Sequence, residues 1–144
     1  MNVMFLFGPN LGALGRRDPA TYGSQTLPEI VEELERRASE LGHVLRWHQS
    51  DHEGDLIRWL LAAAGEGVDA VVMNPGALAH TSYALRDAVE ASGVPVLEVH
   101  MSNVHAREAF RRRSVTAEAC RGSIIGLGAG VYHLALEAMP WITT

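Results

Sequence analysis

The stretch AVVMNPGALAHTSYALRDAVEASGVPVLEV, residues 70–99, reads in turn as strand, loop, helix and strand. Ala70–Met73 is a short apolar run of the kind buried on both faces of a sheet, and it runs into the loop Asn74-Pro75-Gly76-Ala77. Thr81 or Ser82 can cap a helix that carries Leu85, Ala88 and Val89 on one face, and Gly93 closes it. Pro95–Val99 is the next strand. Strand, helix and strand in this order form a unit whose two strands lie parallel.

The pattern repeats outward from there. Val3–Phe7 is an apolar strand ending at Gly8-Pro9. Thr26-Leu27-Pro28-Glu29 has the form of a capping box, and Ile30, Leu34, Ala38 and Leu41 follow at helical spacing before Gly42. His43–His48 reads as the second strand. Ser50-Asp51-His52-Glu53 is a second S-x-x-E start, followed by Leu56, Ile57, Leu60 and Leu61. Ser123–Leu127 is the fifth strand and Gly128–Met139 the last helix. Five strands alternating with helices predict an α/β, flavodoxin-like doubly wound fold. Its parallel sheet has the order 2-1-3-4-5, with helices on both faces. One domain over residues 1–144 is expected, because a second would be too small to hold a core. Leu11–Gln25 is irregular and follows strand one, at the sheet edge where ligands bind in such folds. It is expected to be a lid over about residues 11–25.

Composition narrows the chemistry. Apolar residues make up 47% and charged ones 20%, a globular profile. A net charge of −5 argues against nucleic acid or an anionic membrane as partner. The 12 cationic side chains are all arginine. Without lysine there is no Schiff-base nucleophile, no lysine-anchored pyridoxal phosphate and no P-loop lysine. Cys120 is alone, so no intramolecular disulfide forms. No basic leader precedes the apolar start, and no run approaches the roughly 18 apolar residues of a membrane span. A cytoplasmic protein is expected.

Each strand delivers polar groups to its carboxyl end. Strand one delivers Asn10. Strand three delivers Asn74 and then His80. Strand four delivers Glu98, His100, Ser102 and Asn103, then His105, Arg107 and Arg111. The lid adds Arg17 and Tyr22. Arginine for a carboxylate, with amides and hydroxyls for hydroxyl groups, suits a small polyhydroxylated anion. Gly126-x-Gly128-x-Gly130 lies too near the end of the chain for a dinucleotide site and is better read as close helix–sheet packing. No Gly-x-Ser-x-Gly elbow occurs. Glu98, His100 and His105 are the nearest approach to a metal set, but no metal and no cofactor are expected. Trp47, Trp59 and Trp141 read as core or interface fillers. His43, His48 and His133 read as surface or packing residues.

Four long motifs in register carry a resemblance. They are GPNLGALGRRDPATYG (8–23), QSDHEGDL (49–56), NPGALAHTS (74–82) and EVHMSNVHARE (98–108) with Phe110-Arg111, followed by Gly126-Leu127-Gly128. Through them the chain resembles the type II 3-dehydroquinate dehydratases over nearly its whole length. The resemblance implies loss of water from 3-dehydroquinate to give 3-dehydroshikimate, by anti elimination through an enolate and without a cofactor. That reaction serves shikimate synthesis and quinate breakdown alike. It implies a homo-oligomer, a dodecamer of trimers. Tyr22 matches the family's base, Arg17 the lid arginine beside it, His100 the general acid and Glu98 its neighbouring carboxylate. Asn10 matches the residue that holds a water near the enolate oxygen. Asn74, His80, Met101, Ser102 and Arg111 match substrate contacts. Asp87 matches a residue that reaches an adjacent subunit's site. Ala79 stands where many members have threonine, Asp51 where Asn is commoner, and Gly12 and Ala13 also depart.

These residue types suit the reaction. An elimination beside a ketone needs a base for the C–H proton, a counter-charge for the enolate and an acid for the departing hydroxyl. Tyrosine is ordinarily a poor base, with a reference pKa of about 10. A neighbouring guanidinium, always charged, favours the phenolate. Glu98 lies two residues before His100 on one strand, so both side chains share a face, and the carboxylate favours the imidazolium. Two readings from other classes remain: a flavodoxin-like small-molecule-binding protein without catalysis, and an FMN carrier argued from fold alone.

Overall fold

A computed structural model describes residues 1–144. Its strands are β1 (Asn2–Phe7), β2 (Val44–Gln49), β3 (Ala70–Asn74), β4 (Val96–His100) and β5 (Gly122–Ile125). They form one sheet of order β2-β1-β3-β4-β5, and every pair is parallel. The helices are α1 (Pro19–Tyr22), α2 (Leu27–Glu40), α3 (Glu53–Ala62), α4 (Tyr83–Ala91) and α5 (Gly130–Ile142). The flavodoxin-like order expected from the sequence is the one observed.

The twofold alternation of strand side chains divides the core in two. Val3, Phe5 and Phe7 of β1, with Ala70 and Val72 of β3 and Leu97 and Val99 of β4, pack against α2 and α5. Met4 and Leu6, with Val71, Met73 and Val96, pack against α3 and α4. This parity places the polar residues as well. Asn74 continues the row of Ala70 and Val72 and faces α5. Glu98 and His100 continue the row of Val96, on the other side of the sheet.

Two helix starts form as read. Thr26 caps α2 through the backbone N–H of Glu29, and the Glu29 carboxylate accepts the N–H of Thr26. Ser82 caps α4, accepting the N–H of Leu85 at 3.0 Å. The second S-x-x-E start does not form. Helix α3 begins at Glu53 with His52 at its N-cap and no side-chain cap. The Ser50 hydroxyl instead donates to Asp55 at 2.5 Å and accepts the N–H of His52 at 3.0 Å. Glu53 is drawn to the Ser82 hydroxyl, 2.6 Å away, so the capping partner is lost to a tertiary contact.

The last helix starts two residues later than expected and runs on past Pro140 to Ile142. Pro140 has no N–H to give the Leu136 carbonyl, so the final turn lacks one ladder bond, and Thr143 closes the end with its N–H and hydroxyl on the Met139 carbonyl. Trp141 is 73% exposed, so it does not fill the core of this chain. Trp59 stacks on His48 at 4.5 Å, in keeping with a packing role for that histidine.

Leu11–Gln25 is less irregular than expected. Leu11 and Leu14 are buried in the α2/α5 core, and Pro19–Tyr22 is a helical turn capped by Asp18. The Thr21 hydroxyl and the Ala20 N–H, both donating to Asp18, hold its carboxyl below the usual range.

At the end of β1 a Cβ on Gly8 would sit 2.8 Å from the Pro75 backbone. Gly8→Ala is therefore expected to push the β1 and β3 ends apart and to destabilise the fold by about 2 kcal/mol. Denaturant unfolding at unchanged m-value checks this; an unchanged midpoint would show that the two loops yield freely.

Candidate active site

The carboxyl ends of β1, β3 and β4 meet the segment after β1 around a recess of about 130 Å³. Strand ends supply Asn10, Asn74, His80 and His100, the turn after β4 supplies Met101, Ser102, Arg107 and Arg111, and the segment after β1 supplies Arg17 and Tyr22. Of the polar residues singled out in the sequence, Glu98, Asp87, Asn103 and His105 do not line it. Asp87 is exposed on α4. Glu98 stands behind His100 and is wholly buried. A larger open depression, about 530 Å³, lies at the amino ends of β4 and β5, but it offers no imidazole or phenol.

Arg17 and Tyr22 are brought together as the sequence requires. Arg17 Nη2 donates to the Tyr22 hydroxyl at 3.1 Å, and its guanidinium carbon lies 4.1 Å from the ring centroid. Arg107 approaches the same ring at 5.3 Å, so two fixed positive charges face one phenol. The turn from Asp18 to Tyr22 sets this geometry, since it places both side chains on the recess side.

Across the recess, His100 Nε2 meets Glu98 Oε1 at 2.6 Å. With Nε2 so engaged, Nδ1 is the nitrogen left for a ligand. Glu98 accepts two further hydrogen bonds, from Ser114 Oγ at 2.6 Å and from Thr116 Oγ1 at 2.5 Å. Such donors are what a buried carboxylate requires. The Cys120 sulfur is 4.0 Å from Glu98, and burial pushes its thiol pKa well up. The ring of His80 stacks on that of His100 at 6.2 Å. Its Nδ1 bonds the Arg113 carbonyl at 2.8 Å and so carries a proton, which leaves Nε2 as the nitrogen free to meet a ligand.

Asn74 is fixed at both ends of its amide. Its Oδ1 accepts the Gly76 N–H at 3.1 Å and its Nδ2 donates to the Tyr132 hydroxyl at 2.8 Å. Tyr132 is fully buried, and desolvation pushes its phenol up, away from any role as a base. Asn10 holds a left-handed backbone, φ 69°, which asparagine tolerates better than most residues. Its N–H donates to Asp51 Oδ1 at 2.9 Å, so the carboxylate oxygen at position 51 acts as an acceptor. Arg107 Nη1 donates to Ser102 Oγ at 3.1 Å. Arg111 pairs with Glu108 through Nε and keeps the rest of its fork for a ligand anion. Ala79 is wholly buried and offers only its carbonyl, which accepts from Val115 N at 2.7 Å.

Sequence reading missed Ser114, Thr116 and Tyr132. Each lies far along the chain from the residue it holds, and no local spacing marks it. His105 lies outside the recess, and no three histidine, cysteine or carboxylate side chains converge to hold a metal ion.

Comparison with known proteins agrees over the whole chain. The family described as Dehydroquinase class II matches residues 1–140. A 3-dehydroquinate dehydratase of Thermus thermophilus is 53% identical over 134 residues, 93% of this chain and 90% of that one. A 3-dehydroquinate dehydratase of Pseudomonas aeruginosa is 53% identical over 136 residues, 94% of this chain and 92% of the other. The crystal structure of the type II dehydroquinase of Butyrivibrio crossotus superimposes with a TM-score of 0.95 at 38% identity, covering 97% of each chain. With a family match over almost its full length and relatives that share half its residues, the chain belongs to the class II dehydroquinases.

Proposed function

We propose that this chain is a 3-dehydroquinate dehydratase, a hydro-lyase, in which Tyr22 is the base and His100 the acid. The observation that carries the reading is the pairing of Arg17 with Tyr22 on one side of the recess and of Glu98 with His100 on the other. Relatives that share half its residues bear the dehydratase name, so the non-catalytic reading is not favoured.

The Tyr22 oxygen, as phenolate beside the Arg17 guanidinium, takes the proton next to the substrate ketone, and the C–H electron pair forms an enolate. Asn10, which lines the recess, holds a water at the enolate oxygen in this reading. The enolate collapses, the C–O bond breaks, and His100 gives a proton to the departing hydroxyl, which leaves as water. The phenol's proton then returns to the imidazole through solvent. Arg111 and Arg107 are the candidates for the substrate carboxylate. Asn74, His80 and the Met101–Ser102 turn are the candidates for its hydroxyls. His80 Nε2 and the Asn74 amide present polar groups whose directions are already set.

The proposal extends to three further features. Residues 11–25 act as a lid within a single catalytic domain, with the start of the segment anchored by the buried Leu11 and Leu14. Twelve chains assemble as a dodecamer of trimers, in which Asp87, exposed and outside its own recess, serves a neighbour's site. No helix is long and apolar enough to cross a membrane, and the proposal keeps the cytoplasmic location expected from the sequence. Light scattering tests the assembly.

The direct test follows near-ultraviolet absorbance after adding 3-dehydroquinate. The product is a conjugated enone and the reactant is not, so a rising signal reports turnover and a flat trace refutes the activity. Tyr22→Phe is expected to lower kcat by roughly 10²–10⁴ while leaving the binding of substrate analogues largely intact. Retention of most activity would remove Tyr22 as base. His100→Ala is expected to lower kcat by a similar factor; a raised KM with kcat unchanged would make His100 a binding residue instead.

A further inference from the structure

We infer that Ser114 and Thr116 are positioning residues for proton release, their hydroxyls holding the charge of Glu98 at the moment His100 gives up its proton. The inference rests on the reading of His100 as the acid. His100 Nε2 lies 2.6 Å from Glu98 Oε1; as the acid of that reading it starts as imidazolium and balances the carboxylate. When the Nδ1 proton passes to the leaving hydroxyl, the Nε2–H bond remains but the cation is gone. A wholly buried carboxylate is then left without a counter-ion, a costly state in a dry interior.

The two hydroxyls are oriented to meet that cost. Ser114 has one proton, and its oxygen already accepts the Ala117 N–H at 3.0 Å. Its proton points to Glu98 Oε1 at 2.6 Å rather than to Thr116 at 3.2 Å. The Thr116 proton goes to Oε2 at 2.5 Å, so each carboxylate oxygen has its own donor. Thr116 is wholly buried. Between them Val115 is buried too, and its N–H is tied to the Ala79 carbonyl at 2.7 Å, which holds the three residues beneath the β4 end.

The sign of the effect follows. A hydrogen bond to the carboxylate strengthens once the neighbouring imidazolium is neutral, so the hydroxyls favour the deprotonated pair over the protonated one. They make His100 the readier acid. Removing one should make the pair hold its proton to higher pH and at the same time slow the proton's transfer. Simple misplacement of His100 would slow the reaction without moving the alkaline limb upward. The other titratable groups in contact with the pair are His80, stacked on His100, and the Cys120 thiol. Arg17, Tyr22, Arg107 and Arg111 face His100 across the recess, and His105, Arg112 and Glu118 lie on its other side. All are retained in the variants below.

The test compares pH profiles of kcat for the wild type, Thr116→Val, Ser114→Ala and Thr116→Ser. Thr116→Val keeps the shape and loses the hydroxyl. It is expected to lower kcat about 10-fold and to move the alkaline limb up by about half a pH unit, with KM little changed. Ser114→Ala should move both in the same directions, and Thr116→Ser should restore wild-type behaviour. A folded Thr116→Val or Ser114→Ala with the limb unmoved or lowered overturns the inference, as does Thr116→Ser behaving like the valine variant. Should the valine variant not fold, Ser114→Ala decides by the same criteria. A wild type without turnover, or His100→Ala with full kcat, overturns the proposed function instead. In that event a ¹⁵N NMR titration of the His100 ring in the resting protein still reads the same upward shift.

Discussion

A carboxylate sealed from water has to be surrounded by donors, and the active end of this protein is organised around one. Glu98 is wholly buried in the middle of β4 and is answered by an imidazole and two hydroxyls. Removing any of these partners would leave a charge that the interior cannot solvate. The requirement fixes the rotamer of Glu98 and through it the ring of His100. It also pins the segment from Ser114 to Thr116 under the end of β4. His80, stacked on that ring and tied to the Arg113 carbonyl, takes its orientation from the same region.

The opposite side of the recess is built on a different principle. There the charge is carried by arginine, which stays protonated in any setting, and it is held on a surface turn rather than in the core. Arg17 reaches the Tyr22 hydroxyl only because Asp18 caps the turn between them. Leu11 and Leu14 anchor the start of this segment in the core, while Arg17 and Tyr22, which touch the recess, sit beyond those anchors. In the proposed mechanism, an acid on the sheet and a base on a lid suit a reaction that must first admit its substrate and then exclude water.

Much of this was legible in the residues. The alternation of apolar runs with amphipathic stretches predicts the strand order, because parallel strands joined by helices leave few topologies open. The two-residue spacing of Glu98 and His100 predicts their shared face, and strand geometry delivers it. The S-x-x-E pattern at Ser50 misleads for a physical reason: Glu53 finds a closer partner in Ser82, and Ser50 finds one in Asp55. The segment after β1 reads as irregular because its two buried leucines lie too far from any periodic stretch to register as helix.

The sequence by itself determined the order of strands and helices, the face each strand residue takes, and the residue types that gather at the carboxyl edge of the sheet. These follow from local periodicity and from the handedness of parallel connections. Only the tertiary structure decided which groups support them: Tyr132 under Asn74, 58 positions away, and Ser114 and Thr116 under Glu98, 16 and 18 positions away. A hydrogen bond between distant segments depends on where packing brings two backbones together, and no spacing along the chain encodes that distance.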